Sequence, residues 1–353
     1  MNSVDYFQDK LKTKQPFNTK ELLDLFDMPL PLLGYLADQK RRQLHPQGVV
    51  TYHIDRNINY SNLCVTHCDF CAFYRGKNDK DSYVESTQSL HQKIDETLAA
   101  GGDQILLQGG HHPDWLLNDY LTLLQTIKDY RPIHIHAFSP PEIVHIAKLS
   151  GVSTLEVLRQ MKKSGLSSMP GGGAEILVDE IRQKVSPKKC SADEWLAVMQ
   201  EVADLGMQAS ATMMFGHVET REHRIEHLLK IEALQKSTNV FVAFIPWTFS
   251  PGNTKLAQLK PVGSVEYLRT LAVSRLALNS FNNIQASWLS QGAKVAQVAL
   301  NYGANDMGSV MLEENVLRSA KTHNQSTEPQ LIEWINLAGF SAKKRNFYYK
   351  VVD

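Results

Sequence analysis

The chain has 353 residues, 43% of them apolar and 21% charged, and its 37 basic side chains balance 37 acidic ones. That length fits one large α/β barrel or two ordinary domains, and the neutral balance gives neither the basic excess of a nucleic-acid binder nor the polybasic tract of a membrane-surface protein. No apolar run reaches the eighteen residues of a membrane span and the polar first segment lacks a signal-peptide core, so the expectation is a cytoplasmic protein.

Residues 1–48 carry apolar side chains at helical spacing, interrupted at Pro29 and Pro31, which predicts an N-terminal helical extension. From residue 49 a rhythm sets in. Apolar or β-branched runs at 49–62, 104–110, 133–141, 166–173, 208–216, 240–252, 284–292 and 298–308 each end in Gly, Pro, Ser or Asn, and helical stretches separate them. Ser191 with Glu194 forms a capping box opening a helix that closes at Gly206, and Thr220 and Ser264 open two more. Alternating strands and helices imply parallel strands with right-handed crossovers, and eight strands are the number that closes a (β/α)8 barrel. The expected fold is therefore an α/β, TIM-type barrel over residues 49–353 behind the helical extension, with an open doubly wound sheet as the alternative. The stretch from 327 onward reads as a helix and a final strand packed outside.

Three of the four cysteines fall within "NYSNLCVTHCDFCAFYRG" (59–76), as Cys64, Cys68 and Cys71 in the spacing C-x-x-x-C-x-x-C. Structural zinc wants four ligands, usually as two separated pairs, and a disulfide would leave one thiol over in a reducing compartment. Three close thiolates suit a [4Fe–4S] cluster with one iron left open. A fully ligated electron carrier and a zinc-stabilised hydrolase remain the rival classes.

This motif, with an aromatic before its third cysteine and a place after the first strand, resembles the radical S-adenosylmethionine superfamily. The resemblance implies a [4Fe–4S] cluster on the three cysteines, S-adenosylmethionine on the open iron, and a 5′-deoxyadenosyl radical that takes hydrogen from a small-molecule substrate. It also implies a reductase partner such as flavodoxin or ferredoxin, with no nucleic acid and no membrane. "DRNINYSNLCVTHCDFCAFYR", "LQGGHHPDW", "SMPGGGAEILVDEIR", "FIPWTFSPGNT" and "GANDMGSVMLEENV" are similar to the branch that holds the enzymes of the futalosine pathway of menaquinone biosynthesis and the deazaflavin-precursor synthases. Within that branch they look like the enzymes that cyclise dehypoxanthinylfutalosine, with aminofutalosine synthesis as the neighbouring activity.

Further residues take roles from chemistry and from this resemblance together. Gly109 and Gly110 let backbone approach a ligand, and the family receives the cofactor's amino group there. Phe70 is expected beside the adenine, and Ser139 in "SPPE" on the cofactor's edge of the barrel. Glu175, read as lying in the first turn of a helix, would meet the ribose or amino group. Lys189, with Lys188 as the alternative, would meet the cofactor's carboxylate. His217 and Glu219 share one side of an extended segment and are the candidate proton-exchanging pair. His111 and His112 point opposite ways and suit no shared metal. Trp247, Phe249 and Trp288 are candidates to flank the substrate ring, Asn305 and Asp306 to meet ribose hydroxyls, and Cys190 is expected to be inert.

Overall fold

Three helices, Ser3–Lys12, Thr19–Asp27 and Leu30–Leu44, open the chain in a computed structural model that describes residues 3–13 and 15–352. Asn18 caps the second by a reciprocal box with Glu21, at 2.9 and 2.7 Å. The proline pair separates helices, as the sequence predicts, because Pro29 stands at the cap and Pro31 in the first turn, where no amide is needed.

The strands are β1 (Val49–His53), β2 (Asp55–Ile58), β3 (Gln104–Leu107), β4 (His134–Ala137), β5 (Ser168–Met169), β6 (Gln208–Phe215), β7 (Phe241–Thr248), β8 (Asp306–Ser309) and β9 (Ser341–Lys344). Strands β2 to β7 pair in sequence order, all parallel, and β1 lies between β8 and β9, again parallel. Ile54 alone separates β1 from β2. Past β7, Phe244 bridges Ile284 and Gln285 bridges Asp306. The result is an α/β fold built on a curled parallel sheet.

The first six expected runs each contain strand, but the last two differ. The seventh keeps only the bridging pair Ile284–Gln285 before a helical turn at Trp288–Gln291. The eighth begins inside helix Ala293–Ala299, and its strand starts only at Asp306. Val298 and Ala299 are apolar because they belong to a helix, and a short apolar run has no period with which to say so.

The C-terminal expectation needs a correction. Helix Glu328–Leu337 forms behind the Thr327 cap, but β9 does not pack outside. It pairs with β1 from Val49↔Ser341 to Tyr52↔Lys344, and the turn after it enters the sheet. There Arg345 meets the buried carboxylate of Asp306 at 2.6 Å, and Phe347 stacks on His134. A buried carboxylate without a cation would be costly, and the tail supplies one. Among the described residues no helix is long and apolar enough to cross a membrane.

Candidate active site

A cavity of about 410 Å³ runs through the curled sheet from the cysteine loop to the C-terminal turn. Cys64, Cys68 and Cys71 stand at one end, and Arg345, Phe347 and Tyr349 at the other.

The cysteine loop leaves β2 and is tied down by its own polar residues. Asn62 donates to the Asp81 carbonyl at 2.9 Å and accepts from the Tyr83 amide at 2.8 Å. The Cys64 amide donates to the Arg75 carbonyl at 3.0 Å, and one Arg75 nitrogen holds the carbonyls of Ala72, Phe73 and Tyr74. His67 takes a left-handed φ of 51° between the first two cysteines. The sulfurs already have polar company. The His111 amide donates to Cys64 Sγ at 3.3 Å, and the Thr66 hydroxyl lies 2.9 Å from Cys64 Sγ and 3.5 Å from Cys68 Sγ. All four cysteines are free thiols. Burial pushes the Cys68 thiol up to about 11 and raises Cys71 as well, so filling this wall with metal releases protons.

The donor set fits an iron–sulfur cluster. Zinc would need its sulfurs about 2.3 Å from one ion. Among the described residues no three His, Cys, Asp or Glu side chains gather around one such point. The three thiols nevertheless share one cavity wall, and sulfurs that ligate three different irons are spread in just that sense.

Beside the sulfurs, β3 ends at Gly109 and Gly110. A Cβ on Gly109 would sit 2.5 Å from the Tyr60 ring, and one on Gly110 would sit 2.7 Å from the Leu63 carbonyl carbon. Both glycines are thus required by packing, and both line the cavity. Glu142 organises this edge. One carboxylate oxygen accepts from the Tyr60 hydroxyl at 2.8 Å and the Gly109 amide at 3.3 Å. The other accepts from the Ser139 amide and hydroxyl at 2.8 and 2.6 Å. Ser139 is therefore at the cavity as expected, in a capping box whose Glu142 the reading of the sequence passed over. "SPPE" before an apolar run was the available signal.

Phe70, Glu175 and Lys189 come together. Lys189 Nζ lies 2.8 Å from Glu175 and 5.1 Å above the Phe70 ring. Burial alone would lower the Lys189 ammonium, but Glu175 and the Cys68 sulfur outweigh it and raise it, so the group stays charged. One expectation fails in detail: Glu175 precedes its helix, which begins at Asp179, and holds a left-handed φ of 40° while its carbonyl accepts from the Met214 amide. Lys188 is exposed and reaches the Val65 carbonyl instead. Cys190 is buried away from the cavity, its thiol pushed up to about 11 by burial.

His217 and Glu219 meet, 3.3 Å apart, but the pair does not line the cavity. Glu219 accepts from the amides of Gly216 and His217 and from Arg224, which is the bonding of a carboxylate that holds the turn after β6. Trp247 and Trp288 line the cavity, whereas Phe249 is buried against His217. Asn305 and Asp306 are committed to Arg275 and Arg345, at 2.6 Å each, rather than free for a ligand. His111 lines the cavity while His112 turns away to accept the Asp114 and Trp115 amides, as alternation demands.

With this geometry in place, the comparisons are decisive. The profile of the radical SAM superfamily matches residues 58–231, and that of the CofH/MqnC C-terminal region matches residues 238–353. A cyclic dehypoxanthine futalosine synthase of Halalkalibacterium halodurans is 38% identical over 99% of this chain and 95% of its own.

The chain belongs to the radical SAM superfamily.

A second relative of the same name, from Streptomyces coelicolor, is 40% identical over 94% of this chain and 84% of its own. A 5-amino-6-(D-ribitylamino)uracil–L-tyrosine 4-hydroxyphenyl transferase of Archaeoglobus fulgidus is 41% identical over 90% and 93%. Among solved structures, methylornithine synthase superposes with a TM-score of 0.74 at 19% identity, over 95% of this chain and 97% of that one. A maturase of the [FeFe]-hydrogenase gives 0.75 at 12% identity over 97% and 76%. These two share the fold. As a radical SAM enzyme the chain uses a [4Fe–4S] cluster and S-adenosylmethionine, and the thiol wall is chemically suited to the cluster.

Proposed function

We propose that the chain cyclises dehypoxanthinylfutalosine in menaquinone biosynthesis. The observation that carries this reading is similarity along nearly the whole chain to two synthases of that name in distant organisms. The stretches 168–177 and 244–254, which look like the cyclase, supply Pro170, Gly172, Glu175 and Trp247 to the cavity wall.

When bound, the cluster and S-adenosylmethionine supply a 5′-deoxyadenosyl radical that takes a hydrogen atom from the substrate. The protein's part is to hold and to exclude. Cys64, Cys68 and Cys71 hold the cluster. Gly109 and Ser139, set by Glu142, shape the edge for the cofactor's amino-acid end, and Lys189 answers its carboxylate. Glu175 keeps Lys189 in place and faces the nucleoside part, with Phe70 against the adenine. Trp247, Trp288, Leu106 and Ile245 keep water from a carbon-centred radical. After ring closure the cyclised radical regains its aromatic ring by losing a proton to solvent and one electron, for which the oxidised cluster would be the acceptor.

The same reading extends to the architecture. The bridges through Ile284 and Gln285 support a sheet that closes as an eight-position (β/α) barrel over residues 49–353, with residues 1–48 as a helical extension. A flavodoxin- or ferredoxin-type reductase and a cytoplasmic setting go with this chemistry.

The test is one anaerobic assay of the reconstituted enzyme with dithionite and S-adenosylmethionine, read by mass. Dehypoxanthinylfutalosine should give a product lighter by two hydrogens. Turnover confined to the aminofutalosine synthase substrate, or to ribitylaminouracil with tyrosine as the Archaeoglobus relative's name suggests, overturns the proposal.

A further inference from the structure

A parallel strand covered on both faces normally reads as a continuous apolar run. Strand β2 does not: Asp55, Asn57 and, just beyond it, Asn59 alternate along one side and all line the cavity. Gln104 stands opposite Asp55 in register on β3 and lines it too. Asp55, Asn57 and Gln104 are 6%, 5% and 5% exposed. Each keeps a side-chain oxygen without a protein partner: Asp55 Oδ1, Asn57 Oδ1 and Gln104 Oε1. Gln104 Nε2 donates to Asp55 Oδ2 at 3.1 Å, which fixes the amide's oxygen as its free end. Buried acceptors left unpaired are destabilising, and three on one wall need an explanation from outside the protein.

The cations of the cavity do not provide it. Lys189 is taken by Glu175 and Arg345 by Asp306, and His53, bound to Asp103 at 2.6 Å, approaches only Asp55 Oδ2, at 3.8 Å, leaving Oδ1 free. The adjoining strands β4 and β5 are also satisfied between themselves, His136 and Ser168 sharing a hydrogen bond of 2.7 Å. The unused capacity of the β2–β3 wall is mainly for accepting hydrogen bonds, and the Asn57 amide, bonded at neither end, can donate as well. Its occupant brings donors, and Asp55 makes it unfavourable for that part of the occupant to be an anion.

We infer that Asp55, Asn57 and Gln104 form a subsite for the hydroxyl-bearing sugar portion of the substrate, and that they turn its carboxylate-bearing ring away from this wall. The assignment rests on the proposed substrate and adds which part of it is read, and by which residues.

The test measures binding without turnover. Reconstituted enzyme with S-adenosylmethionine and no reductant is titrated calorimetrically with dehypoxanthinylfutalosine and with its 2′- and 3′-deoxy counterparts. Loss of one hydroxyl, or of its acceptor in Asn57→Ala or Gln104→Ala, should weaken binding about tenfold. In the matching pair of variant and deoxy ligand the two losses should not add. Asn57→Asp, which keeps an acceptor, should restore most of the affinity, and S-adenosylmethionine should bind all variants alike. Equal affinity of wild type for parent and deoxy ligands overturns the subsite without needing any variant to fold. So does an equal loss for both ligands in Asn57→Ala. If wild type fails to bind dehypoxanthinylfutalosine at all, the proposed function falls, and ribitol and methyl β-D-riboside decide the subsite. A thermal shift with either that disappears in Asn57→Ala supports it, and none in wild type overturns it.

Discussion

Gly110→Ala is the sharpest test of how the fold builds the cluster wall. The added methyl would lie 2.7 Å from the Leu63 carbonyl carbon and 2.9 Å from Cys64 Cβ, closer still to the Leu63 oxygen. Ordinary contact begins near 3.4 Å, so backbone must retreat by more than half an ångström. Nothing there yields cheaply. The Gly110 amide is bound to the Ser61 carbonyl at 2.9 Å, and the next amide, of His111, is bound to Cys64 Sγ. Overpacking against fixed groups costs about 1–3 kcal/mol, and here the group displaced carries the sulfur of Cys64, a proposed cluster ligand. Two controls grade the effect. Gly109→Ala meets the Tyr60 ring at 2.5 Å, and Gly172→Ala meets the Gln108 amide nitrogen at 2.5 Å, the far end of a flexible side chain. Iron per chain after anaerobic reconstitution should fall in the order wild type, Gly172→Ala, Gly109→Ala, Gly110→Ala. The melting temperature of Gly110→Ala should drop by a few degrees. Full iron content with an unchanged melting temperature in Gly110→Ala would refute this account of the loop.

Other outcomes follow from the same structure. Arg345→Met strands the Asp306 carboxylate, which keeps only the Thr51 hydroxyl and the Gly308 amide, so urea titration should show a loss of about 3–5 kcal/mol. Adding Asp306→Asn should return part of it. Burial holds His227 down to about 3, so the folded state takes no proton there while the unfolded chain does below about 6.5. Its contribution is intact above that pH and is lost as the pH falls toward 3, at about 1.4 kcal/mol per unit. His227→Leu should flatten the stability profile between pH 6.5 and 4.5, and an identical slope would remove His227 as the cause. Given its place beside Glu219 and off the cavity, His217→Ala should lower the melting temperature yet leave turnover within about threefold. A large fall in turnover at full stability would return it to the chemistry.

What could be read from the sequence was whatever is local. The cysteine spacing, the Ser191 cap and the first six strand runs are patterns within a few residues, and each has its counterpart in the structure. The partners that give the site its shape are far apart in the chain. Glu142 reaches Gly109 across 33 residues, Lys189 reaches Glu175 across 14, and Arg345 reaches Asp306 across 39. No period or spacing encodes such pairs. His217 and Glu219 show the converse. Their alternation placed them together correctly, but which way a turn faces is decided by what holds it, and that was Arg224.

The backbone itself marks the site. Among the described residues eight non-glycine residues have positive φ; three of them line this cavity and two more stand beside residues that do. Glu175, Met311 and Tyr349 line it, His67 lies between two of the cysteines, and Phe138 lies between His136 and Ser139. Each such conformation costs on the order of 1 kcal/mol or more and persists only where surrounding contacts over-determine it. Those contacts are present: the Met311 amide donates to the Ser309 hydroxyl at 3.0 Å, the Phe138 amide to the Leu107 carbonyl at 2.9 Å, and the Tyr349 amide to the Asn346 carbonyl at 3.2 Å. Tyr349 is held further by the Arg345 guanidinium, 3.8 Å from its ring centre. The strain therefore sits where strand ends and the C-terminal turn must aim side chains inward, and the ion pairs that hold it use up the cations of the cavity. The same pairing leaves the oxygens of Asp55, Asn57 and Gln104 without protein partners, so the rigidity of the cavity and the subsite proposed on β2 and β3 have one origin.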